Sequence, residues 1–224
     1  MPLEPPPDDP RALVSFPARV VAAGPGGQPL YRMFRHRDPA TGAVRSPFFF
    51  TSAGGGRYDL PAPSGTCYLA ATPLGAWLET FRSIGTVALE DVQARRLLAT
   101  RPPRPIRAAN LLAAAARRFG VTAEIHTTAD YGLTRRWAKG LHAARFRALW
   151  GQVRHDPTLR HRSLTLFDTA GAHTPFGWRW VEQIGRIDED RRLMRMVAAR
   201  GFRIVEIPYD VPLTFRGRGG RAGG

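Results

Sequence analysis

Residues 54–81 have the sequence GGGRYDLPAPSGTCYLAATPLGAWLETF, in which a glycine cluster, a short apolar run and an amphipathic segment follow one another. Arg57, Tyr68 and Glu79 stand eleven positions apart each time. Thr72, followed by a proline, is typical of a helix N-cap, so we predict a turn, then a strand over SGTCYLAA, then a helix over TPLGAWLETFRSI. The three polar residues belong either to one site or to a turn, a core strand and a solvated helix face.

The flanking sequence alternates between β-like and helical runs. Strands are predicted over ARVVAA, PLYRMF, FFFTSAGGGRYDL, RALWGQV, RSLTLFD and FRIVEIP, and helices over residues 107–118, 131–146 and 188–200. The elements interleave in an irregular order, which favours an α+β fold with a mixed sheet and flanking helices over a doubly wound sheet.

The composition indicates one folded domain with appendages. The chain has 224 residues, of which 43% are hydrophobic. We expect a proline-rich flexible lead over residues 1–16, a main domain over 17–170, an extension packed on it over 171–212, and a disordered tail over 213–224.

Charge and cysteine content limit the function classes. A net charge of +15 points to an anionic ligand or to nucleic acid, but the arginines are scattered rather than gathered into one block. A basic nucleic-acid-binding module without catalysis therefore stays open as an alternative. The single cysteine, Cys67, indicates a reducing compartment and is expected to be a buried apolar residue. With no signal peptide and no apolar run long enough to span a membrane, we expect a cytoplasmic protein.

Several common site motifs are absent from the sequence. It has no phosphate-cradling loop with lysine, no GxGxxG and no CxxC pair. His155 and His161 are the only histidines near metal spacing, and a structural role is the simpler interpretation of both. We therefore expect no metal site.

Four ordered blocks resemble the RES-domain family, the toxins of Xre–RES toxin–antitoxin pairs. The blocks contain Arg32 in LYRMF, the segment Gly56-Arg57-Tyr58-Asp59, the strand Tyr68-Leu69-Ala70, and Glu79 in the helix that follows. The middle segment FGVTAEIHTTADYGLTRRWAKGLHAARF and the later RHDP and SLTLFD are also similar to the family, so the resemblance covers roughly residues 28–168.

The resemblance implies a fold like that of the diphtheria-toxin-type ADP-ribosyltransferases and an enzyme that consumes NAD. Residues 17–170 would then form the NAD-binding catalytic domain. NAD would be a substrate rather than a cofactor, and the ribosyl acceptor would be water, inorganic phosphate or a macromolecule. The implied partner is an Xre-family antitoxin in a hetero-oligomer, with contact to DNA only through that antitoxin.

The chemistry of such a site assigns a role to each candidate residue. Arg57 and Arg32 suit an anionic pyrophosphate, because a guanidinium forms paired hydrogen bonds to phosphate. Tyr68 can stack on a flat ring and offer its hydroxyl, and Tyr58 is either pocket wall or core. Glu79 can bond a ribose hydroxyl and oppose the positive charge that develops on the sugar.

The sequence departs from the family pattern at the serine position. Aligning on RHDP places Gln152 or Val153 there, and Ser163 lies one strand later. We predict that Gln152 supplies the hydrogen bond in place of serine, with Ser163 as the alternative.

Overall fold

The computed structural model describes residues 2–82 and 85–207, with a curled, mixed sheet at its centre. The strands are β1 (Ala18–Val21), β2 (Leu30–Arg35), β3 (Ser64–Ala70), β4 (Thr86–Ala88), β5 (Arg95–Arg101), β6 (Ile106–Asn110), β7 (Ala148–Gln152), β8 (Arg162–Thr169), β9 (Val181–Arg186) and β10 (Arg203–Val205). The α-helices are α1 (Pro73–Phe81), α2 (Leu89–Gln93), α3 (Tyr131–Ala143) and α4 (Arg191–Ala199). Short 3-10 helices cover Pro10–Leu13, Ala114–Phe119, Ala123–His126 and Pro175–Gly177.

Eight strands form the main sheet in the order β1-β6-β7-β8-β3-β2-β5-β9. All neighbours in it are antiparallel except β6 and β7, which are parallel. β10 and β4 form a separate parallel pair. Helices flank the mixed sheet, so the predicted α+β class is confirmed.

The sheet opens between its two strands β2 and β3. β2 pairs with β5 along six residues, but with β3 only at Tyr31 and Ala70. β3 in turn pairs with β8 along its whole length. Beyond the single contact, β2 and β3 therefore diverge, and the gap between them is covered by α1, which follows β3 directly and contacts both strands.

Helix α1 begins as the sequence predicts. The Thr72 side chain accepts a hydrogen bond from the Gly75 N–H, and Pro73 occupies the first turn, where its missing N–H costs no helical bond. Trp77 and Phe81 pack into the apolar cluster between α1, β2 and α4, with their ring centroids 4.3 Å apart. Burial of this face fixes the rotation of the helix about its axis.

Two predicted elements are wrong. Residues 48–53 form no strand, because they make only two isolated bridges, Phe50 to Gly171 and Thr51 to Thr66. Residues 107–118 form no α-helix, since their first part is strand β6, held between β1 and β7. A 3-10 helix follows and ends at Gly120, whose φ of 88° is the left-handed conformation that glycine adopts readily.

Residues 2–16 pack against the rest of the chain, which corrects the expectation of a flexible lead there. Leu3, Leu13 and Phe16 are buried in the same apolar cluster as α3. The Trp137 indole N–H donates to the Glu4 carbonyl at 2.8 Å, so the lead is tied to that helix. A proline-rich segment can join a core when the rest of the chain supplies the apolar partners.

The described part of the segment after Gly171, up to residue 207, is joined to the main sheet. β9 pairs with β5 over six residues, and α4 packs Leu193 and Val197 against the cluster that holds α1. The proposed division at residue 170 stays a prediction, and the tail 213–224 lies outside the described residues. Within 2–82 and 85–207, the protein has no helix with the length and apolarity needed to cross a membrane.

Candidate functional site

A cavity of ≈ 270 Å³ lies where β2 and β3 diverge, under α1 and under residues 54–59, which we call the glycine loop. All six residues that the sequence nominated line this cavity. They are Arg32, Arg57, Tyr58, Tyr68, Glu79 and Gln152. These residues are spread along the chain from position 32 to position 152. The sheet and helix α1 therefore bring them together.

The glycine loop is held by a carboxylate and a tyrosine. Asp59 accepts hydrogen bonds from the Gly56 N–H and the Tyr68 hydroxyl, both at 2.8 Å. The Tyr68 hydroxyl accepts one from the Tyr58 N–H at 3.0 Å. Tyr68 lines the cavity, but its hydroxyl forms hydrogen bonds with the glycine loop. This differs from the expectation that the Tyr68 hydroxyl is available to a ligand. Burial, reinforced by Asp59, raises the pKa of Tyr68.

Arg57 is a buried arginine with unmet hydrogen-bonding capacity. Its backbone carbonyl accepts from the Thr134 hydroxyl at 2.6 Å, and its Nη1 donates to the Ile125 carbonyl at 2.9 Å. Nε and Nη2 are buried and find no partner among the described residues. Leaving buried donors unpaired is costly, so this guanidinium is built to meet an acceptor that the protein does not supply.

Arg32 contributes a second guanidinium from the middle of β2. Its Nη1 donates to the Tyr68 carbonyl at 3.0 Å across the gap between the strands, and its Nε has no partner in the described part of the chain. Arg32 thus links the two diverging strands at the edge of the cavity.

Glu79 faces the arginines from α1. Its Oε1 accepts from the Arg154 backbone N–H at 3.1 Å. Burial raises the pKa of Glu79, while that N–H and the cations of Arg57 and Arg154 act in the opposite direction. Among the residues that line the cavity, Glu79 is the only carboxylate.

Tyr58 lines the cavity and is also buried in an apolar cluster. The two roles considered for it, pocket wall and core residue, are therefore compatible. Its side chain is 5% exposed, and its hydroxyl donates to the Ile125 carbonyl at 3.0 Å. Burial raises the pKa of Tyr58 to about 12. Tyr58 and Arg57 thus share one carbonyl acceptor, which fixes both side chains relative to the segment around Ile125.

Gln152 and Ser163 reach the same cavity from neighbouring strands. Ser163 of β8 pairs with Gly151 of β7, next to Gln152, so its position one strand later does not remove it from the site. The Gln152 amide nitrogen donates to the Leu159 carbonyl at 2.7 Å. The structure leaves both side chains available as substitutes for the family serine.

Sequence reasoning missed three residues of the site. Tyr131 begins α3, and its ring centroid lies 5.8 Å from the guanidinium carbon of Arg57 and 5.0 Å from that of Arg154. Arg82, at the end of α1, completes the cationic wall. Burial lowers the pKa of Arg154, and the charges of Arg57 and Arg82 add to this effect. The available signal was RHDP, whose arginine is Arg154.

The cavity therefore carries four arginines against one carboxylate, and two of the guanidinium groups approach the ring of Tyr131. Like charges crowded together in a partly buried site are costly unless an anion joins them. The described residues contain no group of three or more His, Cys, Asp and Glu that could hold a metal ion. The geometry suits an anionic ligand with a flat, partly apolar portion.

Comparisons with known proteins give a family match and a structural likeness to solved chains. The family model described as RES domain matches residues 29–207. Among solved structures, the chain is similar to one in the crystal structure of the M. tuberculosis MbcT–MbcA toxin–antitoxin complex. That likeness has 15% sequence identity, covers 70% of this chain and 84% of the other, and has a TM-score of 0.49. A search of curated proteins finds no match.

Proposed function

The chain belongs to the RES-domain family, and from this membership and the chemistry of its cavity we propose that it is an NAD-consuming toxin. The proposed reaction breaks the bond between nicotinamide and ribose. We assign the sheet to the ADP-ribosyltransferase-like type, which the gap between β2 and β3 supports. The observation that carries the proposal is Arg57, a buried guanidinium with two unmet N–H nitrogens, in a cavity that also holds Glu79.

The arginines bind the pyrophosphate of NAD. Arg57 is held at Nη1 by the Ile125 carbonyl, so its remaining edge is preoriented and can form two parallel bonds to phosphate oxygens. Arg154 approaches the same ring of Tyr131 and adds a second cation. A bound anion would also relieve the repulsion between the two, since opposite charge favours the charged form of each. Arg32 also lines the cavity, and its Nε, which has no partner in the described part of the chain, is a further donor for a phosphate oxygen.

Glu79 stabilises the sugar as the bond breaks. The electron pair of the C–N bond moves to the nicotinamide nitrogen, which loses its positive charge, and positive charge develops on the ribose carbon. A carboxylate fixed by the Arg154 N–H opposes that charge without moving. Tyr58 and Tyr68 supply the aromatic wall for the nicotinamide ring.

The acceptor attacks the ribose carbon after nicotinamide departs. Water would give ADP-ribose and release a proton, whereas inorganic phosphate would give the ribose 1-phosphate ester of ADP-ribose. Because the cavity is rich in arginine, we include phosphate as a co-substrate. A cytoplasmic enzyme of this kind would harm its own cell, so we propose an Xre-family antitoxin as its restraint, with DNA contacted only through that partner.

The test is incubation of the purified protein with NAD, with and without phosphate, followed by identification of the products by mass. We expect nicotinamide to be released, and the mass of the second product distinguishes water from phosphate as the acceptor. Glu79→Gln keeps the shape of the side chain but removes its charge, so turnover should fall about a hundredfold or more while NAD affinity changes much less.

Glu90→Gln is the matched control, because Glu90 is exposed in α2 and lies outside the cavity. It should retain wild-type turnover. Near wild-type turnover of Glu79→Gln would remove Glu79 from the mechanism. Absence of NAD loss together with salt-sensitive binding to random DNA would favour the nucleic-acid-binding alternative.

A further inference from the structure

A second cavity, which we call the adjoining cavity, lies next to the site and has no role in the proposed reaction so far. It has a volume of ≈ 600 Å³, within the range usual for small-molecule sites. Its walls come from the end of β6, the two 3-10 helices that follow and the end of β7. The lining residues are Leu111, Leu112, Ala113, Ala114, Arg117, Gly120, Val121, Thr122, Ala123, His126 and Gln152.

The adjoining cavity is apolar on its walls but contains unsatisfied polar atoms. His126 is 5% exposed, and its Nδ1 makes no hydrogen bond of ordinary length and angle with the described residues. Thr122 Oγ1 is likewise buried and without a partner there. Two such atoms in one cavity wall indicate a ligand with its own donors and acceptors, since protein groups seldom stay buried and unpaired.

His126 is a neutral group at physiological pH. Burial lowers the pKa of His126 to about 4, and the nearby charge of Arg57 acts in the same direction. A neutral imidazole has one nitrogen that donates and one that accepts. The Thr122 hydroxyl also does both. The pair therefore suits the edge of a planar heterocycle, whose ring nitrogens and amino group alternate as acceptors and donors.

The adjoining cavity lies beside the anion site. Gln152 lines both cavities. His126 directly follows Ile125, the residue whose carbonyl holds the Arg57 guanidinium. A ligand with its phosphates on Arg57 therefore has this cavity next to it along the wall that Gln152 forms.

We infer that the adjoining cavity binds the adenosine half of the dinucleotide, with the base against the apolar wall and its polar edge toward His126 and Thr122. This inference rests on the proposed NAD reaction for the identity of the ligand. A metal is a poor fit because histidine is the only common metal ligand among the lining side chains. A second anion is also a poor fit, because Arg117 is the sole charged residue of the lining and is exposed.

The test compares NAD with nicotinamide mononucleotide, which has the same scissile bond but no adenosine. Thr122→Val removes a hydroxyl at nearly constant volume and should raise KM for NAD about threefold to tenfold, as expected for one lost hydrogen bond. Ala114→Trp fills the adjoining cavity from its exposed rim and should raise it further. Neither variant should change kcat, or the constants for the mononucleotide.

Ala115→Trp is the matched control, because Ala115 is exposed on the same 3-10 helix but lies outside the lining. It should leave both substrates unaffected. Equal KM changes for NAD and the mononucleotide in Thr122→Val and Ala114→Trp, or no change for either, would overturn the inference.

Direct titration with AMP gives a readout that does not need the reaction. The wild-type protein should bind AMP, Ala114→Trp should bind it more weakly, and Ala115→Trp should bind it as the wild type does. A wild-type protein that cleaves NAD but does not bind AMP would sink the subsite while leaving the proposed function intact. Binding of AMP without NAD cleavage would instead remove the reaction and keep the nucleotide subsite.

Discussion

At the scale of single residues, the site contains buried charged side chains that have fewer hydrogen-bond partners than they can bind. Arg57 has two unmet nitrogens, and Glu79 faces it with one backbone N–H as its hydrogen-bond donor. Such arrangements reduce folding stability, because buried charge is expensive without full pairing. They are also what pre-organised binding of a charged substrate requires.

The pH dependence of stability should reveal the cost of Glu79. Burial raises the pKa of Glu79 above its ordinary value, so the folded protein holds this proton more tightly than the unfolded chain does. The contribution to stability is present below the unfolded pKa and is lost as the pH rises through the folded value. Glu79→Gln lacks this loss, so its melting temperature relative to wild type should increase between about pH 4 and pH 7.

The measurement is the melting temperature at several pH values of three proteins: the wild type, Glu79→Gln and the exposed control Glu90→Gln. Glu90→Gln should show no such trend. A melting difference for Glu79→Gln that stays constant across this range would mean that the carboxyl titrates normally in the folded state.

The serine position gives a second prediction at this scale. The Gln152 amide nitrogen donates a hydrogen bond to the Leu159 carbonyl. Ser163 lies in β8, the strand between β7 and β3, and lines the cavity. We therefore expect Ser163→Ala to lower NAD turnover more than Gln152→Ala, by about tenfold against about threefold, as for one lost neutral hydrogen bond. This order reverses the expectation from sequence alignment, and the opposite kinetic result would restore Gln152 as the substitute.

At the scale of elements, the glycine loop is shaped by what surrounds it. Gly56 lies so close to the Asp59 carboxylate and the Tyr68 hydroxyl that a methyl group would overlap both. Gly54 has a φ of 71°, the left-handed conformation that suits glycine. The hydrogen bonds of Asp59 to Gly56 and to Tyr68 of β3 hold the glycine loop in place. The loop therefore presents Arg57 in a fixed direction.

Gly56→Ala tests this bracing. The added methyl group must push Asp59 away from Tyr68, so the free energy of unfolding should fall by about 1–3 kcal/mol, the usual effect of overpacking. Gly55→Ala is the matched control, because a Cβ at Gly55 meets nothing within 4 Å and should change stability by less than about 0.5 kcal/mol. Equal stabilities of the two variants in urea unfolding would show that the loop adapts freely.

At the scale of the whole molecule, segments near both ends of the described range 2–207 pack against its centre. The first residues cover α3, and β9 and α4 extend the sheet and the α1 cluster from the other end. The site lies between these two regions, on the gap between β2 and β3. Its geometry therefore depends on packing contributed by segments far from it in sequence.

Phe16→Ala measures the contribution of the N-terminal segment. Phe16 is 2% exposed and packs on the rings of Phe119, Trp137 and Phe146, with centroids 5.1, 6.2 and 6.2 Å away. Its truncation should cost about 3–5 kcal/mol of unfolding free energy. Val14→Ala, at a side chain that is 55% exposed, should cost less than about 0.5 kcal/mol. A small effect for Phe16→Ala would mean that the segment contributes little to the core.

The sequence by itself determined the elements whose signals are local. Thr72 and the proline after it predict the start of α1, and apolar runs predict β2, β3, β7 and β8, because caps and side-chain periodicity act within a few residues. The ordered blocks with Arg32, Arg57, Tyr68 and Glu79 also indicated the family, which the match over residues 29–207 confirms.

Only the tertiary structure decided the rest. RAANLL has strong helical propensity, yet its first residues are strand β6, because pairing with β1 and β7 on both sides outweighs a local preference. Arg154 and Tyr131 joined the site because β7 ends, and α3 begins, beside the glycine loop. Such contacts link residues that are far apart in the chain. Their energy comes from packing and charge between elements, and no local pattern in the sequence encodes which elements will meet.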